Sequence, residues 1–111
     1  MIGDKQDTEM MLLNCCIMKN EILMECRVTP DMFGTYRSLF TKLVSMVAKG
    51  PVNRRDMDRV ANEHEKALLS QLQPAHTANW KFFEDKLIKH WSIEKIHTAF
   101  RMGLELSLIH I

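Results

Sequence analysis

Apolar residues recur at helical spacing along most of the chain. In residues 8–18, Met11, Leu12, Cys15 and Cys16 form one stripe, and Asp7 is placed to cap the helix they predict. Asn20 can cap a short second helix through Cys26. In "VTPDMF", Thr29 is an N-cap candidate and Pro30 takes the first helical position, where its missing N–H costs nothing. Thr35 opens a stronger helix in which Tyr36, Leu39, Phe40, Leu43, Met46 and Val47 share a face, and Gly50 is placed to end it. Asn53 caps "NRRDMDRVANEHEK", whose apolar positions Met57 and Val60 are sparse. A further short helix over residues 67–72 stops before Pro74.

"QPAHTAN" has turn formers and no periodicity, and reads as a linker. Beyond it, Trp80, Phe83, Leu87 and Trp91 form one stripe, and Ile93, Ile96 and Phe100 form another. Ser92 between them can cap a new helix, so residues 74–105 predict a linker and a helical hairpin or kinked pair. The fold class is therefore all-α: a compact helical bundle over residues 1–73, followed by the hairpin. Aromatic stripes after a linker have little within their own unit to cover them. They call for another domain or subunit, with Trp80, Phe83, Leu87, Trp91, Ile93, Ile96 and Phe100 as the contact residues. The alternative is that they fold back onto residues 8–72.

Composition narrows the function. Hydrophobic residues make up 46% of the 111, enough for a core, and the net charge of +1 gives no global attraction to nucleic acid. The cysteines Cys15, Cys16 and Cys26 have neither C-x-x-C spacing nor an even count, which argues for reduced thiols in a cytoplasmic protein. Apolar runs are too short to span a membrane, and the N-terminus lacks a signal-peptide design. Catalytic patterns are missing. The glycines stand alone, so there is no phosphate-cradling loop. No two of His64, His76, His90, His97 and His110 stand at i, i+4, and His90 with His97 is a weak metal signal. Asp56 and Asp58 point about 160–200° apart on a helix and cannot act together. Arg54, Arg55 and Arg59 interleave with Asp56, Asp58 and Glu63, a charge-balanced solvated face. Lys81, Lys86, Lys89, Lys95 and Arg101 are expected on the outer side of the last unit, balanced there by Glu84, Asp85 and Glu94.

The order of segments resembles the N-terminal domain of DnaB-type replicative DNA helicases. "DTEMMLLNCCIMKNEIL" is similar to that family's opening E-A-E-Q-x-[VL]-L-G-x-[LM]-[LM] helix, with Asp7 and Glu9 at its acidic positions, Leu12 and Leu13 at its apolar pair, and Asn20 at the turn. "VTPDMFGTYRSLFTKLVSMVAKGPVN" resembles its L-x-P-E-D-F-Y…H-R-x-I-F…G-x-P-[IV]-D block through Pro30, Asp31, Phe33, Arg37, Leu39, Phe40, Gly50, Pro51, Val52 and Asn53. Ala78, Asn79, Leu87, Ile88 and Lys89 keep step with its A-N-[IV] segment. Met10 and Asn14 depart from the usual Gln and Gly, and the stretch before residue 74 is short, which fits a divergent, phage-borne member.

The resemblance implies an assembly domain with no chemistry of its own. Its hairpins would pair subunits into dimers and a trimer of dimers, a collar receiving a primase or helicase loader. DNA would be met only through the complete hexamer. No cofactor is implied in this chain; ATP and magnesium belong to a RecA-like motor domain that would follow. Two other readings are a small helical DNA-binding regulator using "GPVNRRDMDRVANEHEK" as its recognition helix, and a phage adaptor without an enzymatic parent. The closing "LSLIHI" equals one reading frame of a transposase-end sequencing adapter, so residues 106–111 are expected to be a processing scar.

Overall fold

The computed structural model places residues 2–72 and 77–110, and describes the side chains of residues 5–72 and 77–98. Its axis is α1 (Ile2–Met18). Residues 12–17 are buried without a break, Asn14 included, so this helix is covered on every side. It starts before the predicted cap, and Asp7 is an exposed interior residue of it. The only poor helix former ahead of Asp7 is Gly3, in the first turn, so nothing stops the helix there.

Asn20 ends α1 rather than starting the next helix. Its amide donates to the carbonyls of Cys16 (2.9 Å) and Ile17 (3.3 Å), and its carbonyl oxygen accepts from Val52 N–H (2.7 Å). One side chain thus closes a helix end and fixes the chain after Gly50 and Pro51 against it. The short α2 (Ile22–Glu25) follows, then a single 3₁₀ turn, Pro30–Met32, with Thr29 at its N-cap and Pro30 at its first position as expected.

α3 (Arg37–Val47) buries Leu39, Phe40 and Leu43, and Tyr36 is buried just before it. Phe33 stacks on Phe40 with ring centroids 4.2 Å apart, locking the 3₁₀ turn to α3. Two helices follow Asn53, α4 (Arg54–Val60) and α5 (Glu63–Ser70), but the break between them falls at Asn62 rather than after Lys66, so α5 joins the end of the first expected helix to most of the second. Each begins with a capping box, Asn53 with Asp56 and Asn62 with Glu65. Asn62 is poor in a helix interior and good at a cap, so the break falls where its amide can accept Glu65 N–H at 2.8 Å.

The last helix, α6, runs unbroken over Trp80–His110. This overturns the expected hairpin or kinked pair about Ser92. A lone serine costs a helix only tenths of a kcal/mol, and between Trp80 and Phe100 there is no Gly or Pro. α6 lies antiparallel to α1: Lys5 meets Glu94 at 3.0 Å near one end, and Glu84 lies beside Cys16 near the other. The antiparallel pair of the fold is therefore built from α1 and α6, elements far apart in sequence. Leu87 is fully buried in the common core, with Trp80, Phe83 and Ile88 packed around it, so the fold-back alternative describes this half of α6. Of the expected linker over residues 73–79, residues 73–76 lie outside the described residues and Thr77–Asn79 form a 3₁₀ turn; the side chains of Phe100 and of the closing apolar tail also lie outside them. Among the described residues there is no strand, and no helix is long and apolar enough to cross a membrane.

Candidate docking surface

α6 has two faces with different fates. At about 100° per residue, the nine steps from Leu87 to Ile96 make about two and a half turns, so these two side chains point in opposite directions. Leu87 is fully buried; Ile96 is 65% exposed and Ile93 44% exposed. The predicted contact set divides accordingly. Trp80, Phe83, Leu87 and Trp91 turn toward the bundle, where Leu87 is buried and the other three are half-buried. Ile93 and Ile96 turn away from it. Phe100 continues the helix, and its side chain is outside the described residues.

The outward face has a member the two-stripe reading missed. Phe82 is 63% exposed, next to the inward Phe83, whose ring it meets edge-on at 5.6 Å. The missed signal lies in the spacing. Phe82, Lys86, Lys89, Ile93 and Ile96 advance in alternating steps of four and three, the heptad rhythm of a helix-contacting seam. The two lysines interrupt its hydrophobicity and conceal it. The Lys86 ammonium lies 5.9 Å from the Phe82 ring centroid, and Lys89 is exposed.

The acids of α6 meet cations of the bundle. Glu84 is only 4% exposed and anchors the helix: it accepts Arg27 N–H at 2.8 Å and the Arg27 guanidinium at 3.1 and 3.3 Å. Asp85 accepts from the same Arg27 Nη2 at 2.7 Å, and Glu94 pairs with Lys5. Every acid on the described part of α6 is thus engaged by a cation from the bundle. Among the lysines, Lys81 lies over Trp80 at 5.7 Å beside Glu84 and Asp85, Lys95 over Trp91 at 5.6 Å beside Glu94, and Lys86 and Lys89 stand at the positions between Phe82 and Ile93.

The positions singled out by motif serve as joints of the bundle. Glu9, 2% exposed, accepts the N–H groups of Gly34 (2.8 Å) and Tyr36 (3.1 Å) and so ties α1 to the start of α3; Leu13 beside it is fully buried. Arg37 donates through Nε to Phe33 O at 2.8 Å, and Pro30, Phe33 and Phe40 form the stacked turn below it. Gly50 and Pro51 make the turn that Asn20 fixes, and Asn79 is exposed in the single 3₁₀ turn (Thr77–Asn79) that precedes α6. Beside Gly50 and Pro51 lies a second apolar surface, including Met18 (58% exposed) and Met24 (85% exposed).

Chemistry is sparse elsewhere. Burial pushes the thiols up: Cys15 and Cys16 are raised, and Cys26, beside Glu84, is pushed up to about 12. Among the described residues no group of His, Cys, Asp and Glu could hold a metal ion; His76 and His110 lie outside them. The segment read as a recognition helix, residues 50–66, is divided between α4, which carries Arg54, Arg55 and Arg59, and the start of α5; Arg54 donates to Leu69 O, and Arg59 faces Asp56 at 3.9 Å. No protein-family model matches the chain, and neither does any curated protein or solved structure.

Proposed function

We propose that this chain is the N-terminal collar domain of a DnaB-type replicative helicase, a phage-borne assembly and docking module with no reaction of its own. The observation that carries the reading is the long α6, which buries one face and leaves the other apolar and exposed. A helix with a spare apolar face is what an assembly module presents to its partners. Further support comes from the three segments of the resemblance. Glu9 joins the first to the second, and Leu87 from the third enters the core formed by both.

In this reading the chain associates with itself through the distal end of α6, where Phe100 lies, as dimers and a trimer of dimers. A primase or loader docks on the same module in the cytoplasm. DNA is engaged only by the assembled hexamer, and ATP with magnesium acts in a motor domain of the parent protein. The gene tests this. Reading the locus past the codon for Gly103 is expected to show an interdomain linker and then G-x-x-x-x-G-K-[ST] within roughly 100–150 residues, about one domain length. An open reading frame that closes without a P-loop removes the helicase parent. The codons for residues 106–111 are expected to reproduce the adapter.

A further inference from the structure

We draw no further inference here: the strongest candidate, the outward face of α6 carrying Phe82, Ile93 and Ile96, is apolar and exposed, but nothing in the structure shows what covers it.

Discussion

Glu9 offers the sharpest test of how the bundle is held. Its carboxylate is almost wholly buried, and one oxygen, Oε1, accepts both the Gly34 and the Tyr36 N–H. Glu9→Ala removes both bonds and leaves the buried Tyr36 N–H without an acceptor. A hydrogen bond to a charged group contributes about 1.5–3 kcal/mol, and water can reach the exposed Gly34 side, so the expected loss is about 2–4 kcal/mol. Glu9→Gln keeps an oxygen able to accept both bonds and loses only the charge, so it should cost about 1 kcal/mol. Urea unfolding followed by far-ultraviolet circular dichroism reads both, the alanine variant shifting the midpoint by roughly 1–2 M. Hydrogen exchange should show the Gly34 and Tyr36 amides losing protection first in the alanine variant. Alanine and glutamine variants of equal stability, or unchanged protection at Tyr36, would refute the reasoning. Gly34→Ala is a useful companion: its new Cβ would lie 3.5 Å from the other Glu9 oxygen, ordinary contact distance, so stability should stay within about 0.5 kcal/mol.

Leu87→Ala should destabilise the fold by about 2–4 kcal/mol in the same assay, because it empties a fully buried position, whereas Ile96→Ala should stay within about 0.5 kcal/mol. Equal effects would mean that α6 faces another way. Glu65 sets an acid limit. Burial alone would raise its pKa, but bonds from Lys42, Asn62 N–H and Ser38 outweigh this and hold it below the usual carboxylate value. Its contribution to stability is thus present above the unfolded-state pKa and is lost as pH falls through the lowered folded value; in Glu65→Gln that acid-side slope of stability should flatten. Cys26, pushed up to about 12, should stay largely unalkylated by iodoacetamide at pH 8 in the native chain, and rapid labelling before unfolding would contradict its environment.

The local elements with strong punctuation were legible in sequence: Pro30 at the start of its turn, the apolar face of α3, and Asn53 as a cap. Asn20 and Asn62 were harder to place, because an asparagine can start a helix, end one or break one, and tertiary partners decide among these. For Asn20 the deciding partner is Val52, 32 residues away. The hairpin was misread because two stripes offset along a sequence look alike whether the chain turns back or one straight helix carries two faces. Buried Glu9, Glu65 and Glu84 show the same limit. A glutamate in a helix reads as solvated until the backbone N–H groups, lysine or arginine that meet it are brought near by the fold.

Sedimentation velocity of the full chain across micromolar concentrations, beside Phe100→Asp, tests the assembly reading most directly. The native chain is expected to associate as concentration rises, and Phe100→Asp to remain helical and sediment as a monomer. A native chain that stays monomeric throughout, or a Phe100→Asp variant that associates as the native chain does, would contradict it.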